Sequence, residues 1–237
     1  MTAPTFPDRR ALLGLLRLAS PALPVGGFSY SEVLEAAVDA GLVVDEAGAA
    51  RWLLDHLALG LQRADLPLVA AAHGAWQADD RTRVGALNDW ALQTRESAEL
   101  RLQTEQTGRS LTDWLRQRHP DDPRVGHLRA LRPAPAWPIA FALAADCSGL
   151  DAAGTLLGYG FGWAENMVQA ALKAVPLGQA AGQRLLDALA EALPGVIDAA
   201  LATAAAPEGD AARQSFAPRW AILSARHEAQ YSRLFRS

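Results

Sequence analysis

Apolar residues recur every three to four positions along most of this chain, and no run alternates apolar and polar residues as a half-buried strand would. The spacing predicts helices over 8–19, 29–40, 45–59, 62–78, 82–92, 94–118, 124–131, 138–148, 151–174, 178–193, 195–205 and 218–230. Gly41 and Gly149 fall where C′ residues close helices. Proline or polar clusters at 120–123, 132–138 and 206–213 mark loops, none long enough to separate one domain from another. The expected fold is all-α: a single-domain bundle of about ten helices. Residues 1–217 form its body, and 218–237 supply a last helix and a tail that is flexible or docked on a partner.

The helical pattern breaks most sharply at Leu18–Glu35, where two prolines, two glycines and an aromatic pair separate helix-forming segments. Pro21 and Pro24 remove backbone donors and stop the preceding helix. Gly26 and Gly27 permit positive φ or a close backbone approach. Ser29 and Glu32 have the spacing of a capping box that restarts the helix, with Phe28 at the staple position. A short, shaped, partly apolar connection of this kind has to pack against something.

In the segment 94–111, Leu100, Thr104, Thr107, Leu111 and Leu115 share the face expected in the core. Arg95, Glu99, Gln106 and Asp113 fall on the opposite face, with Arg109 beside them. Arg95–Glu99, Arg101–Glu105 and Glu105–Arg109 are i,i+4 pairs worth about 0.2–0.5 kcal/mol each on an exposed helix. A solvated, salt-bridged face explains that pattern without any function. Gly108 argues for more, because an interior glycine costs about 1 kcal/mol and suggests that another helix comes close.

Gly158, Gly160 and Gly162 lack the spacing and the preceding strand of a dinucleotide fingerprint, and read instead as contacts between helices. Lys173, the single lysine, sits in an apolar run before Pro176-Leu177-Gly178-Gln179 and Gln183. At a helix C-terminus it is favoured by the dipole and by snorkelling. The chain closes on Ser224, His227, Glu228, Tyr231, Arg233, Leu234 and Phe235. Chain ends fray unless tied down, and aromatics beside arginine have the composition of a docking peptide or of a last helix packed on its own core.

Composition removes several function classes. With 237 residues, half of them hydrophobic and a fifth charged, the chain buries roughly 70–75% of its unfolded surface and needs no staple. A net charge of −4 without a basic run argues against nucleic acid. The single cysteine, Cys147, excludes an internal disulfide or a multi-cysteine metal site and points to a reducing compartment. Arg9-Arg10 and the leucines after them imitate a signal peptide, but Arg17 and Pro21 interrupt it. No uncharged apolar run of membrane-spanning length is present. Gly27-Phe28-Ser29-Tyr30-Ser31 only half-matches a nucleophile elbow, no P-loop exists, and the five histidines lack metal-site spacing.

Four blocks together resemble the UreF family of urease accessory proteins. They are S-P-x-L-P-x-G-x-F-S-x-S from Ser20, R-E-x-x-E-x-R-x-x-x-E-Q-x-G-R-S-L from Arg95, K-x-V-P-L-G-Q-x-x-G-Q from Lys173, and S-x-x-H-E-x-Q-x-S-R-L-F from Ser224. The resemblance implies a cytoplasmic, non-enzymatic adaptor that dimerises, binds UreD (also called UreH) and recruits the GTPase UreG. That complex delivers nickel to the urease apoprotein. No cofactor of its own is implied: nickel is in transit, and GTP is bound by the partner. By the same resemblance, Ser20, Pro21, Pro24, Gly26, Phe28 and Ser29, with Ser224, His227, Glu228, Tyr231, Arg233, Leu234 and Phe235, hold UreD/UreH. Arg95, Glu99, Arg101, Glu105, Gly108 and Arg109, with Lys173, Pro176, Leu177, Gly178, Gln179 and Gln183, face UreG or line a path for the ion. The rival readings are an all-α enzyme with a buried Glu99 or Glu105 as general base beside Arg109, and a purely structural scaffold.

Overall fold

The computed structural model describes residues 8–237, so the first seven residues of the expected body lie outside the described residues. Every regular element among the described residues is helical. In chain order these are α1 (Arg9–Leu18), a 3₁₀ turn (Gly27–Ser29), α2 (Leu34–Asp39), α3 (Glu46–His56), a π-helical stretch (Leu57–Asp65) and α4 (Leu66–Gln77). Then follow α5 (Arg81–Gln93), α6 (Ala98–Arg118), α7 (Pro123–Ala130), α8 (Trp137–Cys147), α9 (Ala152–Ala174), α10 (Gln179–Ala205), α11 (Gly209–Ala212) and α12 (Pro218–Glu228).

The centre is set by hydrophobicity. α8 is buried from Pro138 through Ala145, and α4 is nearly as apolar all round, so both must be surrounded by other helices. α6, α9 and α10 are amphipathic and supply the surrounding layer. Polar groups inside this core are paired. Trp76 Nε1 donates to the Ile139 carbonyl at 3.0 Å. Asn88 donates to the Ala134 carbonyl and accepts from the Ala136 N–H, which ties α5 to the loop entering α8.

Helix starts follow local capping, with Asp45, Ser97 and Asp151 each accepting from a backbone N–H three residues on. Ser97 corrects the expected start at 94, so α6 begins a turn later and Arg95 is not on it. The break expected near Gly60 is filled by the π-helical stretch, which joins α3 to α4 without a turn. The break expected at Pro194 is likewise absent. α10 runs through it, because Leu193, Val196 and Ile197 keep one continuous buried face. α11 lies where only loop was expected.

The α6 core face reads as expected: Leu100, Thr104, Thr107, Leu111 and Leu115 are all buried. Gly108 faces the incoming loop rather than a helix. A Cβ there would collide with the Pro135 carbonyl oxygen and lie 2.9 Å from the Ala136 carbonyl carbon. Gly108→Ala is therefore expected to lower stability by about 2 kcal/mol, although alanine is the better helix former by about 1 kcal/mol. The measurement is the urea midpoint at unchanged m-value, and an unmoved midpoint would mean the loop gives way freely.

Candidate functional site

The first block forms a shaped connection. Ser20 Oγ accepts from the Ala22 N–H, Gly26 takes φ +75°, and a 3₁₀ turn follows. The capping box does not form. Glu32 and Val33 both adopt positive φ, 46° and 71°, and the helix begins only at Leu34. Such backbone costs about 1–3 kcal/mol per residue and is most unusual for a β-branched side chain. Distant partners hold it in place. The Glu32 carboxylate accepts from Gln103 Nε2 at 3.0 Å and from Trp163 Nε1 at 2.8 Å. Burial still pushes the Glu32 carboxyl above its ordinary value, with those two donors opposing. Phe28 is exposed and staples nothing within the helix.

The tail closes onto this block. The Leu234 and Phe235 N–H groups donate to the two Glu35 carboxylate oxygens at 2.7 and 2.9 Å. Ser31 donates through both N–H and Oγ to the Ser237 carbonyl, each at 2.7 Å, and the Arg236 N–H donates to the Ser29 carbonyl. The His227 ring nitrogens lie 2.7 Å from a Glu99 oxygen and 3.2 Å from a Glu35 oxygen. Arg233 pairs with the other Glu99 oxygen. Ser224 bonds Ser97, and Glu228 accepts the Glu99 N–H. The tail thus packs against its own chain, as the self-packed alternative of the two sequence readings has it, rather than lying free. Phe235 is buried, while Tyr231 and Leu234 point to solvent.

Lys173, exposed in the last turn of α9, brings the third block to the same place. Its Nζ lies 5.6 Å from the Phe235 ring and 6.0 Å from the Phe28 ring, a cation–π position. Phe28, Ser29, Glu99, Lys173, Ser224, His227, Glu228, Arg233, Leu234 and Phe235 are therefore neighbours, although they come from four regions of the sequence. Gly178, Gln179 and Gln183 are exposed at the start of α10, apart from these contacts, as is Pro176 before them. Arg101 and Arg109 flank Glu105 on α6 with ion pairs of 3.1 and 3.0 Å, as expected. Sequence reasoning passed over Tyr30, Ser31, Glu35, Gln103 and Ser237. Glu35 carried a signal, as an acid set among the apolar residues Leu34, Ala36 and Ala37.

Arg95 is the clearest correction. It makes no pair with Glu99 but turns inward to Asp65, with Nη2 donating at 2.6 Å and Nη1 at 3.3 Å. Burial works against its charge, and the Asp65 carboxylate more than offsets that, so the guanidinium is held above its ordinary value. This pair lines a chamber of about 490 Å³ between the π-helical stretch, α6 and the segment before α12. His56 stands in the same chamber, its pKa pushed down to about 3 by burial. Burial also raises the Tyr159 hydroxyl well above its usual range. Glu99 and Glu105, the bases of the enzymatic reading, do not line this space. Cys147 lies elsewhere, its thiol pushed up to about 12 by burial.

These features define an all-α protein in which residues from separated polar blocks meet beneath the chain's own tail. The family model for UreF matches residues 43–190. A urease accessory protein UreF from Methylibium petroleiphilum is 63% identical over 227 residues, covering 95% of this chain and 94% of the relative. The Paracidovorax citrulli urease accessory protein UreF is 56% identical over 240 residues, covering 100% of this chain and 93% of its own. A third, from a Polaromonas species, is 53% identical over 228 residues, covering 96% of this chain and 95% of the relative. The chain belongs to the UreF family of urease accessory proteins. No helix among the described residues is long and apolar enough to cross a membrane.

Proposed function

We propose that this chain is a non-enzymatic maturation factor for urease, acting in the cytoplasm as a homodimeric adaptor and gate. It joins UreD/UreH to the GTPase UreG and promotes GTP-dependent insertion of nickel into the urease apoprotein. Nickel is cargo in this scheme, GTP stays on the partner, and no resident cofactor is involved. The observation that carries the reading is the convergence of residues from four blocks, with Lys173 over the Phe28 and Phe235 rings and Tyr231 and Leu234 of the tail left in solvent. A few anchors, tyrosine and arginine prominent among them, carry most of the energy in protein interfaces. The enzymatic alternative needs a reactive carboxylate in a pocket, and Glu99 and Glu105 are engaged by His227, Arg233, Arg101 and Arg109 instead.

Tyr231→Ala combined with Leu234→Ala tests this cleanly, because neither side chain supports the fold. Recovery with tagged UreD/UreH is expected to fall at least about tenfold, while helix content and melting temperature hold. Undiminished recovery would remove the tail from the docking surface. Urease activation by the same variant, in cells lacking the wild-type gene, reads the downstream step.

A further inference from the structure

The end of α6 remote from the tail faces a different surface. At 1.5 Å per residue, Glu99 beneath the tail and Gln117 near the helix's close are roughly 27 Å apart. There α1, the last turn of α6 and the end of α8 enclose an open cleft of about 460 Å³. Arg10, Leu13 and Arg17 of α1 line one wall, and Trp114, Arg118 and His119 line the other. Gly14 makes the enclosure possible: a Cβ there would lie 2.7 Å from Ser148 Cβ, so α1 rests directly on the end of α8.

The three arginines of this cleft have no carboxylate partner among the described residues, whereas Arg95, Arg101, Arg109, Arg124 and Arg184 are all paired. Helix dipoles account for two of them, because Arg17 and Arg118 stand in last turns, at negative ends. Arg10 stands in the first turn of α1, where the dipole opposes a cation. Arg118 stacks over the Trp114 ring at 4.8 Å, which leaves the in-plane N–H edge of its guanidinium open. No aspartate or glutamate lines the cleft. The carboxylates around it are engaged or outside. Asp113 pairs with Arg116, Asp122 and Asp146 pair with Arg124, Asp8 caps α1, and Asp121 is exposed in the turn after α6. The Cys147 thiol does line the cleft, but burial pushes it up to about 12, so it brings no charge. The result is a local positive patch on a chain of net charge −4.

An occupant has to bring more than one negative group, because the arginines stand on both walls. Carboxylates and phosphates match guanidinium forks, and carboxylates are the anions that protein surfaces carry. A lone inorganic anion fills little of such a volume, which suits a larger ligand or an inserted side chain. A flat lipid surface does not enter a concave cleft. Leu13 and Trp114 add apolar wall between the arginines. We propose that this cleft is a docking site for an acidic segment of a partner protein, two or more carboxylates about one apolar side chain. The carboxylates meet Arg10, Arg17 and Arg118, and the apolar side chain seats against Leu13 and Trp114. The tail surface lies at the other end of α6, so failure here and the loss of UreD/UreH binding are separate results.

The test is titration of the full chain with a labelled peptide of glutamates about a central leucine, beside its glutamine counterpart and inorganic pyrophosphate. The acidic peptide is expected to bind saturably, at least about tenfold more tightly than either of the others, and more weakly as salt rises. Arg10→Gln combined with Arg17→Gln is expected to weaken it at least about fivefold, at unchanged melting temperature and native mass, since both side chains are exposed and unpaired. Arg9→Gln, exposed on the same helix but off the cleft, is expected to leave binding intact. A peptide-dependent shift of the Trp114 indole N–H resonance in the wild-type chain locates the contact. Equal binding of the two peptides, no saturable binding, or an unmoved indole resonance overturns the proposal. So does an Arg9→Gln loss as large as that of the pair, which would mean diffuse surface charge. Pyrophosphate binding as tight as the peptide's would make this a free-anion site instead, and an altered native mass in the double variant would make it a contact between copies.

Discussion

Glu35→Ala is expected to unlatch the tail, lowering its local stability by about 3–5 kcal/mol. Glu35 is 5% exposed, and its two oxygens take the Leu234 and Phe235 N–H groups while facing His227. Alanine leaves two backbone donors and the His227 Nε2 without a partner, while Nδ1 keeps Glu99, and water reaches them only if the segment lifts away. The tail is held by this cluster and by the Ser31 and Ser29 contacts, so opening is local rather than global. Amide exchange at Leu234 and Phe235 should accelerate by about two to three orders of magnitude, and trypsin should cut readily after Arg233. Glu35→Gln, which keeps one carbonyl acceptor, should fall between. Unchanged exchange in Glu35→Ala would show that Phe235 burial alone anchors the chain end.

Acid is expected to destabilise the fold through His56, an effect that the His56→Gln variant should lose. Its pKa is about 3 when folded against an ordinary 6.5, so between those values the unfolded chain binds the extra proton. Stability contributed by the neutral ring is therefore fully present above about pH 6.5 and is lost as pH falls toward 3. The slope from this one group approaches about 1.4 kcal/mol per pH unit within the window. Glu32 acts in the opposite direction. Its raised pKa lets the folded chain hold a proton that the unfolded chain has released, so it favours the fold as pH drops toward its ordinary value. Asp65, Arg95 and Glu96 face the same space and are common to both proteins. The check is the difference in urea stability between wild type and His56→Gln, measured from about pH 7 to pH 4. A difference independent of pH would place the His56 ring in contact with water.

Some of the site was legible before any coordinates. The α6 core face followed from period alone, because Leu100, Thr104, Thr107, Leu111 and Leu115 bury together whatever they bury against. Gly108 announced a close approach, although only the fold identified Pro135 as its neighbour. The Ser29–Glu32 box failed because its acid found buried donors in Gln103 and Trp163, far away along the chain. Arg95 was misplaced for a related reason: Ser97 competes as the cap, α6 starts later, and the freed arginine turns to Asp65. The chamber left almost no trace, since Trp52, His56 and Asp65 match no motif and meet Arg95 and Trp220 only in the fold.

Helix content, the apolar faces and the family blocks are written locally, because a side chain's period and capping chemistry act within a turn or two of its own position. Which charged group meets which was decided by tertiary structure alone. Glu35 and Phe235 lie 200 residues apart and bond at 2.9 Å, as no local rule could specify. A buried carboxylate takes whichever donors packing brings to it, and that depends on the whole arrangement of helices around α4 and α8.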